Sequence, residues 1–220
     1  GFLAVLTFLF VKDVPKESNI VGNSKPLRLS QIFSLKQFEH SFKHYITAVF
    51  VLGLGVMPIS LMVLKSQSLG LGIVGIPLMY LISSVSFIFF AIPFGRISDK
   101  IGEKKVLTLG FSMAILAYLI LAVSSSLAGL VAGFVAFGLF SAMTDGVTRA
   151  LASKLVLPHQ LATGQGFLNA ATGISSLLAG VIGGGIWTFV GPTAAFVYGI
   201  VLMAIGLLTF VRLNGVESNV

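Results

Sequence analysis

Three sets of side chains in this sequence have types and spacings that could do chemistry. The first is the run Gly95-Arg96-Ile97-Ser98-Asp99-Lys100-Ile101-Gly102-Glu103-Lys104-Lys105. A carboxylate at position 99 can face the positive N-terminus of a neighbouring helix. Gly95 and Gly102 permit tight turns and close approach of helix ends, and the basic residues can hold the segment at an anionic lipid surface. The second set is Asp145 and Arg149, four apart and so on one face of a helix, where opposite charges can pair. The third is a scatter of polar residues deep in long apolar runs: Tyr80, Ser83, Ser112, Tyr118, Asn169 and Thr172, with Ser60, Ser84 and Ser176. Such a lining suits a neutral or amphiphilic solute, and equally suits ordinary packing between helices. Enzyme signatures are absent. His40, His44 and His159 lack metal-ligand spacing, cysteine is missing, and neither H-E-x-x-H, G-x-S-x-G nor G-x-x-x-x-G-K-[ST] occurs. The sequence therefore implies no enzyme, no nucleotide-driven pump, no metal and no cofactor.

The elements that must position these residues follow from composition. Of 220 residues, 56% are hydrophobic and only 10% charged, against roughly 25% charged in a soluble domain. Too few charges exist to cover a water-soluble globule, so the solvent is lipid. Six apolar runs, at about 44–64, 71–94, 106–123, 127–148, 164–187 and 192–211, are each long enough to cross ~30 Å of hydrocarbon as a helix. None alternates as a barrel strand does. The net charge of +7 does not imply nucleic acid, because the basic residues sit in short connections between apolar runs. Thirteen of the 14 lie before the first run, in 95–105, in 149–163 or after the last run, and only Lys65 lies on the other side. This bias predicts that those segments are cytoplasmic, and that the protein is a multi-pass protein of the plasma (inner) membrane.

At the start, residues 1–11 are apolar and too short to span, and they begin with Gly. They read as the end of a preceding membrane helix, which makes the chain a fragment. Residues 12–30 are rich in Lys, Ser, Asn and Pro and read as a flexible linker. Leu35, Phe38, Phe42 and Tyr45 recur at helical spacing, which predicts a short amphipathic helix on the membrane surface. The expected organisation is thus a cytoplasmic segment over 12–43, a six-helix bundle over 44–212 and a tail over 213–220.

The 95–105 run resembles the loop signature of the major facilitator superfamily: Gly, three residues, Asp, basic, any residue, Gly, any residue, basic, basic. Gly95, Asp99, Lys100, Gly102, Lys104 and Lys105 fill every position, and the run follows the second of six spans, as in that family. The resemblance implies an all-α transporter of twelve spans in two six-helix halves, of which this chain is the second. Its partners are then the first half, the bilayer, a small-molecule substrate and, for an exporter, protons. Asp99 is implied to dock on a helix end of the first half. With Asp145 and Arg149, placed about 24 Å down the fourth span, it would form a charge network at the inner gate. A plain ion pair at the membrane boundary is the alternative for the latter two. One departure is that the family's antiporter signature contains a Gly-Pro pair, whereas no proline occurs between Pro158 and Pro192. In the same span, Gly180 and Gly184 have the small-residue spacing that permits close helix packing. The reading overall is a secondary transporter by alternating access, proton-coupled export being the first subclass. A uniporter or symporter for a neutral nutrient, or a non-transporting membrane receptor or scaffold, are the rivals.

Overall fold

A computed structural model of the chain describes residues 37–72 and 75–212. The expected helix end at 1–11, most of the 12–43 segment and the 213–220 tail lie outside the described residues.

Lipid offers no hydrogen bonds, so each apolar run satisfies its backbone as helix. The elements are α1 (His40–Gly55), α2 (Ile59–Ser68), α3 (Gly75–Ile101), α4 (Glu103–Val123), α5 (Leu127–Lys154), a 3-10 turn (Pro158–Gln160), α6 (Leu161–Phe189) and α7 (Pro192–Val211). No strand occurs among the described residues. Together α1 and α2 make one span, and the six spans are long and apolar enough to cross a membrane. α5 is the hub, packed along α3 and α4; α4 also meets α7, and α7 and α6 both flank α1. The core centres on Tyr118, fully buried between Phe137 and Phe196 with ring centroids 6.4 and 6.0 Å away. α3 and α6 bury least and turn Ile88, Phe89, Leu177 and Val181 outward, a sensible surface only where the surroundings are apolar.

Three local features differ from the sequence reading. Residues 95–101 are not loop but the last two turns of α3, and α4 starts at Glu103, so the connection shrinks to Gly102. Its φ of +93° is one that side-chain-bearing residues rarely adopt. Residues 40–45 form no separate surface helix: they are the first turns of α1, and Phe38, Phe42 and Tyr45 are buried in the bundle. The Gly180/Gly184 stripe is not the tight seam either, since Gly184 faces open space. Close approach occurs instead at Gly138, where a Cβ would strike the Ser83 carbonyl and the Ser86 side chain.

The first span is also interrupted. α1 stops at Gly55 because Pro58 has no N–H to continue the ladder. The Met57 N–H, which would otherwise be orphaned, donates to the Tyr118 hydroxyl at 2.8 Å.

Candidate functional site

Along α5, residues 137, 140, 141, 144, 145, 148 and 149 follow the three- and four-residue spacing of one helical face. α6 repeats the pattern with 168, 169, 172, 175 and 176. These two faces, with Val49, Gly53 and Val56 of the first span and Phe111 of α4, enclose a cavity of about 360 Å³. It is graded. Phe111, Phe137 and Phe140 make an apolar compartment, with ring centroids 5.5–5.6 Å apart along the chain of contacts. Thr144, Asp145, Thr148 and Arg149 make a polar one toward the end of the bundle where α5 finishes.

Three of the cavity hydroxyls are engaged as donors. Thr144 Oγ1 donates to the Phe140 carbonyl at 2.8 Å, Thr172 Oγ1 to the Leu168 carbonyl at 3.0 Å, and Ser175 Oγ to the Thr172 carbonyl at 3.0 Å. With their hydrogens spent inside their own helices, these oxygens offer lone pairs to whatever enters.

Asp145 and Arg149 share this wall but make no direct ion pair: Arg149 acts on Asp145 electrostatically, yet no nitrogen–oxygen pair between them comes within 4.0 Å. The ion pair in this region is Lys154 Nζ to Glu103 Oε1, at 2.5 Å. Glu103 is buried in the first turn of α4 and Lys154 stands in the last turn of α5, each the sign that its helix end favours. Two further bonds fix the same turn of α5. Tyr45 Oη donates to the Thr148 carbonyl at 2.7 Å, and Gln165 Nε2 donates to the Arg149 carbonyl at 2.9 Å and to Ser153 Oγ at 2.8 Å. The backbone beneath Arg149 is thereby tied to α1 and α6.

The residues of the 95–105 run sit apart from the cavity. Arg96, Asp99 and Lys100 are exposed on the last turns of α3, and Lys105 is exposed on α4. Asp99 neither lines the cavity nor pairs with Arg149. It stands at a helix C-terminus, where a carboxylate is disfavoured, and Gly95 has open space beside it. Nothing in the described bundle uses either residue.

Of the polar residues singled out from sequence, Asn169 and Thr172 line the cavity, as does Ser176. The others do not. Tyr118 is the acceptor at the helix break, Ser83 is buried in the α3–α5 seam, Ser112 donates to the Thr108 carbonyl of its own helix at 2.8 Å, and Tyr80 lies on the outer surface of α3. Thr144, Thr148, Ser141 and Ser175 were missed. Their signal was present as the spacing that continues the Asp145–Arg149 face upward and repeats on α6.

The family model of the Major Facilitator Superfamily matches residues 45–219. An uncharacterized MFS-type transporter of Methanocaldococcus jannaschii is 32% identical over 221 residues, covering 94% of this chain and 52% of that protein. Multidrug resistance protein D of Escherichia coli is 32% identical over 111 residues, 50% of this chain and 28% of that one. An uncharacterized transporter of Buchnera aphidicola is 36% identical over 95 residues, 43% of this chain and 24% of that protein. The chain therefore spans about half the length of the relative it matches most extensively among these. These are transporters rather than enzymes. Six apolar helices around a cavity, a complete Gly95–Lys105 signature and a family match over most of the sequence lead to one conclusion: the chain belongs to the Major Facilitator Superfamily, and the protein is an integral, multi-pass membrane protein.

Proposed function

We propose that this chain forms one six-helix half of a secondary transporter that exports small amphiphilic molecules by alternating access, coupled to protons, in a plasma (inner) membrane. The observation that carries the reading is the cavity. Faces of α5 and α6 line one space between the spans, α5 carrying its charges at the mouth and α6 its serines deeper, and rocking two-bundle transporters hold their solutes between helices near mid-depth. The 32% identity to a multidrug resistance protein over half the chain supports export. The basic bias supports a cytoplasmic position for the end of the bundle carrying 95–105 and 149–163.

In this reading Asp99 and its basic neighbours form the docking surface of the inner gate against the other half. Their exposure, and the carboxylate's unfavourable place at a helix C-terminus, are what a contact awaiting its partner looks like. Asp145 and Arg149 are the gate's cavity-side component. The proton is carried by a carboxylate of the other half, because Asp145 sits at the cavity mouth beside Arg149.

The test is flux through the full-length protein in proteoliposomes. An imposed proton gradient is expected to drive solute uphill, and dissipating it to stop accumulation. Flux that only equilibrates, whatever the gradient, would make the protein a uniporter; no flux of any solute would remove the transport reading.

A further inference from the structure

We infer that the mouth of the cavity recognises a small zwitterion with an apolar tail, its ammonium meeting Asp145, its carboxylate meeting Arg149 and its tail turned toward Phe140. This rests on reading the cavity as a solute path.

The charges are the first ground. Asp145 and Arg149 lie one helical turn apart, about 6 Å along the axis, and both line the cavity. They are not joined to each other, nor is either in an ion pair with any other described residue, although Lys154 and Glu103 in the adjoining turns are paired. Two opposite charges held a turn apart and unjoined form a receptor for a molecule carrying both signs a few bonds apart.

The flanking groups agree in polarity. Thr144, next to Asp145 in the chain, has given its hydroxyl hydrogen to the Phe140 carbonyl, so its oxygen accepts from an ammonium. Arg149 offers only donors, in a fork that matches a carboxylate. The bonds from Tyr45 and Gln165 fix the backbone from which the Arg149 side chain projects.

Size and selectivity complete the case. About 360 Å³ lies at the low end of small-molecule sites, roughly 300–1,000 Å³, room enough for a molecule of amino-acid size. A monocation would face Arg149 and a monoanion would face Asp145. Each then carries a repulsive element that the zwitterion escapes.

The test uses the full-length protein in detergent and in proteoliposomes. The probes are alanine, leucine and phenylalanine, each beside its amide (a cation) and its desamino acid (an anion). Binding is read by thermal stabilisation and by counterflow. The larger zwitterions are expected to bind at least about tenfold more tightly than their single-charge analogues. Asp145→Asn is expected to abolish the discrimination against the anions, and Arg149→Gln the discrimination against the amides. Where a single variant does not fold, the exchange of Asp145→Arg with Arg149→Asp keeps both charges on the wall and is expected to keep zwitterion binding. Equal affinity across a set, selectivity unchanged in the variants, or no effect of any zwitterion overturns the inference. The transport reading falls separately, when no solute of any charge class, drugs included, moves through the wild-type protein.

Discussion

Removing one oxygen, with Tyr118→Phe, should cost the fold more than its size suggests. The ring stays between Phe137 and Phe196, so packing is preserved and only the acceptor for the Met57 N–H is lost. That N–H is buried away from bulk solvent, Met57 being 1% exposed. Its helical alternative, the Gly53 carbonyl, already accepts from Val56 N–H at 3.1 Å. Side-chain hydrogen bonds between membrane helices average ~0.6 kcal/mol, while stranding a buried donor costs about 1–3 kcal/mol. With both escape routes closed, the loss should fall in the higher range. Thermal unfolding of the purified protein measures it, and a second background tests the cause. Pro58→Ala restores the missing N–H and lets α1 run on into α2, so Met57 can bond to Gly53 as in any helix. There the cost of Tyr118→Phe should shrink to a few tenths of a kcal/mol. A Tyr118→Phe protein as stable as wild type, or an equal loss in both backgrounds, would show that the hydroxyl does not sustain the break.

Other outcomes follow from the same geometry. Asp99→Asn should split two readouts: the carboxylate opposes the C-terminal dipole of α3, so its removal should raise stability by about 0.3–1 kcal/mol while transport falls. Transport at the wild-type level would make Asp99 a solvated charge and nothing more. Lys154→Gln should destabilise by roughly 1–2 kcal/mol, between the values for exposed pairs and for charged buried bonds, because it strands the buried Glu103 while Lys154 itself is largely exposed; denaturation in detergent would read it, and Glu103→Gln in the same protein should recover part of the loss. A cysteine placed at position 101 of this cysteine-free chain should react with a membrane-impermeant thiol reagent only after the cells are opened. Reaction in intact cells would invert the topology.

Helix existence was legible because each span is a long apolar run, and α7 matches its expected bounds of 192–211. Helix ends were less so: α3 and α5 run seven and six residues past the ends of their apolar runs, since charged residues extend a helix into water as readily as they end one. The break in the first span was half visible. Pro58 marks it, but the acceptor that makes it tolerable comes from a residue 61 positions away, and no local pattern reports that. The same limit governs the site. A polar residue at mid-depth turns toward a cavity, a seam or its own backbone according to how neighbouring helices are rotated. Asn169 and Thr172 line the cavity, whereas Tyr118 and Ser83, candidates of the same kind, serve the break and packing. What was available and unused was the repeat of polar residues along one face of α5, anchored by the charged pair already recognised at its end.

The bond between Met57 and Tyr118 also bears on how the protein is made. The first span leaves the ribosome before α4 exists, and in lipid an unpartnered N–H costs several kcal/mol. At about 5–20 residues per second, the 61 residues that separate donor from acceptor take roughly 3–12 seconds to synthesise. Throughout that interval the first span lacks the group that completes its own interior. It must stay within the insertion machinery, or hold its N–H on Gly53 at the expense of Val56, until the third span arrives. The order of synthesis thus makes α4 an assembly partner for α1 before it is a wall of anything.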